Sequence, residues 1–66
     1  MIMTIYTSDG TIEIQPSVNV KLNDIARQLE EGNLLLIETI HRTTFIINCI
    51  NVNAIEINTD IPPIQA

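Results

Sequence analysis

The side chains able to do chemistry in this sequence are few and far apart. Nucleophilic catalysis needs a nucleophile, a base and an orienting group brought together. Cys49 and His41 are the sole cysteine and the sole histidine. On an extended stretch they are separated by roughly 25 Å, so they do not meet within one chain. Cys49 reads as a small core hydrophobe. His41, beside Arg42 at a turn, reads as a solvated residue. Neither has further soft ligands at metal-binding spacing, and a lone cysteine forms no intrachain disulfide.

Paired carboxylates would allow acid–base work, and Glu13, Glu38 and Glu56 are the candidates on strands. Each alternates with apolar neighbours, as an outward-facing residue does. Glu38, flanked by Ile37 and Ile40, is the one that partial burial would turn into a useful base; at a strand end it reads first as a surface residue. Gly10 and Gly32 are the only glycines, so a phosphate cradle or dinucleotide fingerprint is absent. One Phe, one Tyr and no Trp make no platform for stacking bases. The expectation is a protein with no catalytic, cofactor-binding or metal site.

The three cations, Lys21, Arg27 and Arg42, are dispersed, and the net charge is −5. Nucleic-acid affinity comes largely from clustered Lys and Arg neutralising phosphates, so nucleic acid is not an expected partner. An acidic surface suits solubility or a basic protein partner. Residues 1–5 carry no basic region and no apolar run of signal-peptide length. No stretch approaches the roughly 20 apolar residues of a membrane span. With a single thiol, the expected location is cytoplasmic.

The elements that would position these groups follow from spacing. Residues 2–15 read as a β-hairpin with Asp9 and Gly10 as a type I′ turn. That pairing sets Ser8 opposite Thr11 and Ile5 opposite Ile14. Met3, Ile5, Ile12 and Ile14 then share one face. Pro16 ends the second strand. Leu22, Ile25, Ala26 and Leu29 recur at helical spacing, predicting a helix over 22–31. Ser17 or Asn19 is the candidate N-cap and Gly32 the left-handed residue after the end. Glu30 and Glu31 sit at its C-terminus, where the helix dipole disfavours acids by a few tenths of a kcal/mol.

Residues 33–40 read as a central strand whose consecutive apolar residues 34–37 imply cover on both faces. A turn at 41–43 leads to a strand over 44–50. A break at 51–53 precedes a short strand over 54–58. Residues 59–66, with Pro62 and Pro63, read as a tail favouring polyproline II. The chain is thus one α+β domain over 1–58, in the order ββαβββ, mostly antiparallel, with one helix on one sheet face.

The segments Ser8-Asp9-Gly10, Leu22 to Leu29, His41-Arg42-Thr43, Ile46-Ile47-Asn48, Val52 and Ile55 resemble the core pattern of LytTR-type DNA-binding domains. In that family a His-Arg-Ser-aromatic segment leads into a hydrophobic pair and Asn. Here an extra residue, Thr44 or Phe45, precedes Ile46, and residues 60–66 hold no counterpart of the family's basic C-terminal part. The resemblance implies His41 and Arg42 as DNA contacts. The acidic balance runs against that role, and the match reads as a shared structural pattern.

A chain of this length buries only about 60% of its unfolded surface, and small domains usually rely on a staple. Without disulfide or metal, self-association is the expected one, a dimer first. One short helix shields one sheet face, so the aliphatic residues on the other side call for a second subunit. By analogy of size and charge, the expected role is that of a small acidic regulatory protein, of the kind found among phage and mobile-element accessory proteins, acting by binding another protein. Its expected contact points are Glu30, Glu31, Glu38, His41, Arg42, a free sheet edge and the Pro62-Pro63 tail. The alternatives are a LytTR-like DNA-binding regulator, a small-ligand-binding or sequestering oligomer, and a structural subunit.

Overall fold

Alternating apolar residues across a short polar turn produce the expected N-terminal hairpin. In the structure, a computed structural model describing residues 1–59, β1 (Ile2–Thr7) and β2 (Gly10–Ile14) pair antiparallel. Met3 and Ile5 are fully buried, and Ile12 and Ile14 pack beside them. The pairing slides by two residues from the expected register: Ile5 faces Ile12 and Met3 faces Ile14. Ser8 and Asp9 form the turn without left-handed φ, and Gly10 takes φ 138° instead. The Thr7 hydroxyl holds this geometry, donating to Gly10 O at 2.7 Å and accepting from the Asp9 N–H at 3.2 Å. A slip of two preserves parity, so the same four residues stay on the core face.

The helix α1 (Leu22–Glu31) has the expected limits, and Gly32 ends it at φ 77°. Its start differs. Lys21 occupies the N-cap without a side-chain bond, while the Ser17 hydroxyl accepts from the Asn19 N–H in the preceding turn. Its buried stripe is narrower than expected. Ile25 is buried and Leu29 packs against the core, while Leu22 and Ala26 face solvent.

After Gly32 the chain enters a second hairpin, β3 (Leu34–Glu38) with β4 (Thr44–Asn48). A 3-10 helix at Cys49–Asn51, capped by Asn48 Oδ1 accepting from the Ile50 N–H, then leads into β5 (Val52–Asn58). The break therefore falls at 49–51, earlier than expected, and Val52 already belongs to β5. The chain order is ββαβββ and all pairing is antiparallel.

The strands divide between two sheets, β2-β1-β5 and β3-β4. A bridge between Pro16 and Thr39 links them, with Ser17 N–H donating to Glu38 O at 2.8 Å and Ile40 N–H to Gln15 O at 3.0 Å. Their inner faces share one core, in which Met3, Ile5, Leu35 and Ile37 join Ile25 of α1. The sheets thus cover each other, so less apolar surface is left open than a single sheet under one helix would leave. Within one chain only the inner face of 34–37 is covered: Leu35 and Ile37 are buried, while Leu34 and Leu36 are 53% and 48% exposed. The Pro62-Pro63 reading lies outside the described residues.

The turn from Thr39 to Thr43 is tied by Thr39 N–H to Thr43 O, by Arg42 N–H to Thr39 O and by the two threonine hydroxyls at 2.7 Å. It forces Arg42 to φ 63°, the only left-handed non-glycine residue described. A side chain there costs about 1 kcal/mol, partly offset by the unfolded-state freedom that glycine would add. Arg42→Gly is therefore expected to stabilise the fold by up to about 0.5 kcal/mol, read as a higher urea midpoint at unchanged slope.

Candidate functional site

The structure brings together few of the residues singled out by type. Glu30 and Glu31 are exposed at the end of α1, Glu38 is exposed at the end of β3, and His41 and Arg42 are exposed on the turn after it. Burial, which would have made Glu38 a candidate base, is absent. His41 and Cys49 flank opposite ends of β4, and the half-buried Cys49 thiol donates weakly to Gln28 O at 3.7 Å. Among the described residues there is no cluster of three or more metal-ligating side chains, and Arg27–Asp24, one helical turn apart, is the only ion pair. No helix of these residues is long and apolar enough to cross a membrane.

One neighbourhood was not foreseen. The Pro16–Thr39 bridge sets the end of β2 beside the 39–43 turn. Glu13 and His41 consequently line one open cleft of about 410 Å³ with Ile2, Ile14, Thr39 and Phe45. Neither side chain makes a hydrogen bond there, so the cleft holds an acid and a base without fixing either.

On the outer face of the β2-β1-β5 sheet, the Tyr6 hydroxyl donates to Glu56 Oε1 at 2.7 Å. That bond, and secondly the carboxylate's charge, push the phenol above its ordinary value of 10.0. A raised folded value means that the bond contributes below the unfolded pKa and is lost as pH climbs through the folded one. Tyr6 is the only tyrosine and there is no Trp, so ultraviolet absorbance reads it alone. Its phenolate is expected to form with a midpoint above pH 10, moving down towards the ordinary value in Glu56→Gln.

The feature that stands out is apolar. Leu34, Leu36 and Ile46 lie on the outer face of the β3-β4 hairpin, with Leu36 directly opposite Ile46, itself 59% exposed. Opposed side chains on one face touch, so the three form a continuous aliphatic surface. One side is bordered by α1, whose Asp24 and Gln28 line a groove with Leu36 and Glu38. The signal for it was in the sequence: four consecutive apolar residues on a strand put two on each face, and one ten-residue helix does not shield both.

The two edges of this hairpin differ. The Gln28 carboxamide closes the β3 edge like one residue of a missing strand: its Oε1 accepts from Leu36 N–H at 2.8 Å, and its Nε2 donates to Leu36 O at 3.3 Å. Because Leu36 turns its backbone groups away from β4, its partner Ile46 turns its own away from β3. By the same alternation Thr44 and Asn48 also face outward; the Asn48 carbonyl is used by the first turn of the 3-10 helix, while among the described residues no backbone partner meets Thr44 or Ile46 on that side.

Comparison of the chain with protein-family models, with curated proteins and with solved structures finds no match.

Proposed function

We propose that this chain is a small acidic regulatory protein that works without catalysis, by binding another protein through the outer face of the β3-β4 hairpin. The observation that carries the reading is that Leu34, Leu36 and Ile46 stay about half exposed on one surface although the fold has an inner face available for apolar residues. Contiguous apolar surface rimmed by polar residues is what protein-binding sites present. Here Asp24, Gln28, Glu38, Thr44 and Asn48 supply the rim. The net charge of −5 favours a basic partner. Self-association, as a dimer first, and a cytoplasmic setting belong to the same reading, as does an accessory role of the phage or mobile-element kind.

Affinity capture from the source organism with mass spectrometry tests it. A protein retained by the native chain and not by a heat-denatured control is the expected outcome. Retention of nothing beyond that control would sink the reading.

A second reading, a LytTR-like DNA-binding regulator, draws on His41 and Arg42 standing together on one exposed turn. Glu13, which lines the same open cleft as His41, and the overall negative charge oppose it. A low-salt mobility shift of duplex DNA, lost in Arg42→Ala, is what that reading requires.

A further inference from the structure

Val18 is 96% exposed, in the turn that Val20 N–H closes on Ser17 O at 3.0 Å. Such turns ordinarily carry glycine, proline, asparagine, aspartate or serine, and a fully exposed valine there serves neither the turn nor the core. Val18 meets the half-exposed Met1 and Ile40, with Pro16 and Val20, along a groove of about 330 Å³. No side chain lining it is charged, and none belongs to the surface of Leu34, Leu36 and Ile46. Its floor is fixed, because Ile40 N–H donates to Gln15 O and Ser17 N–H to Glu38 O across the link between the sheets.

We propose that this groove is the seat of the chain's own segment Ile61-Pro62-Pro63-Ile64. The pairing of β1 and β5 sets Asn58 opposite Ile2, so the chain leaves β5 beside Met1, one wall of the groove. The pairing of β1 and β2 sets Met3 opposite Ile14, which carries Met1 towards Pro16, the next wall. Neighbouring strands stand about 5 Å apart, so the groove begins within about 10 Å of Thr59. Residues 60–66 extend about 22 Å as polyproline II, enough to lie along it. That conformation has three residues per turn, which puts Ile61 and Ile64 on the same side, towards Val18 and Ile40.

Tether and charge select this occupant. A segment attached at the rim of the groove is present there at an effective concentration in the millimolar range, which a free partner does not reach. The proline pair lowers the entropy that docking must remove. Residues 61–66 carry no charge and match an uncharged lining, whereas a basic partner drawn by the net charge finds no acid in it. The same segment of a second copy must arrive against the repulsion of two chains of net charge −5, and against a competitor already tethered. Docking covers Met1, Val18 and Ile40 without using the outer face of the β3-β4 hairpin, so partner binding at that face stands or falls separately.

Methyl-resolved nuclear magnetic resonance of the full chain tests this. Nuclear Overhauser contacts are expected from Ile61 and Ile64 to Val18 and Ile40. They should persist on dilution and be absent between chains in a mixture of labelled and unlabelled protein. Ile64→Asp should shift the Met1, Val18 and Ile40 methyls and leave those of Leu34 and Ile46 in place. Val18→Asp, at a position that contributes nothing to the core, should remove the same contacts while Met3, Ile5 and Leu35 keep their native shifts, which shows that the sheets are intact. Contacts absent from the native chain overturn the proposal, as do contacts found only between labelled and unlabelled chains. Shifts in Ile64→Asp that fall instead on Leu36 and Ile46 would seat the segment on the partner-binding face and overturn the groove as its place.

Discussion

Leu35→Ala is expected to abolish cooperative melting or bring the midpoint close to room temperature. Leu35 is fully buried between the two sheets with Met3, Ile5 and Ile37. Truncating a buried leucine removes its transfer free energy and leaves a cavity, together costing about 2–5 kcal/mol. A domain of this size has about 3–10 kcal/mol to lose, and among the described residues only five apolar side chains are buried. No disulfide restrains the unfolded chain. Urea titration followed by far-ultraviolet circular dichroism reads the loss. A midpoint within measurement error of the parent would mean that the two sheets do not meet across Leu35.

Leu36→Lys, one position along, is expected to do the opposite: leave the fold intact and remove partner binding. Leu36 points away from the core and is 48% exposed, so a surface substitution there should stay within about 0.5 kcal/mol. Its backbone bonds to Gln28 do not depend on the side chain, and the groove beside it holds two acids, Asp24 and Glu38, against one base, Lys21, so a lysine ammonium is tolerated there. Binding responds differently. An apolar contact at the centre of an interface is worth about 2 kcal/mol or more, and the ammonium must also be desolvated. The dissociation constant for the captured partner is expected to rise by about 30-fold or more. Unchanged binding with unchanged melting would place the contact surface elsewhere.

Adjacent positions on one strand thus face opposite ways, Leu35 inward and Leu36 outward, and this shows what could be read in the sequence. The alternation in β1 and β2, the helical spacing of Ile25 and Leu29 and the stop at Gly32 are local signals, and the elements they specify formed. Parity in the first hairpin survived even though its turn moved to Ser8 and Asp9, because hydrophobic alternation fixes the face while turn geometry fixes the pairing. The division into two sheets was not legible. It depends on long-range bonds near Pro16 and Thr39, and on whether β4 returns to the first sheet or ends in the 3-10 helix. The cap at Asn48 decides that locally, and an isolated Asn in an apolar run does not announce it.

The same distinction holds for function. The sequence pointed to surplus aliphatic surface, and the structure gathers Leu34, Leu36 and Ile46 on one face while Val18, Leu22, Ile40 and Ile50 stand exposed elsewhere. The charged candidates are exposed but scattered. Glu30 and Glu31 lie at the end of α1, and His41 and Arg42 on the 39–43 turn, so no single partner footprint was evident from residue types alone. Gln28 was equally hidden: its role at the β3 edge requires α1 to lie alongside that edge, which helical spacing does not dictate.

The most direct measurement is nuclear magnetic resonance shift mapping of the isotope-labelled chain titrated with the protein it captures. The largest changes should fall on Leu34, Leu36 and Ile46 and on their neighbours Glu38 and Asn48, with the helix end and the 39–43 turn little affected. Changes confined to Glu30 and Glu31, or to His41 and Arg42, would contradict the account.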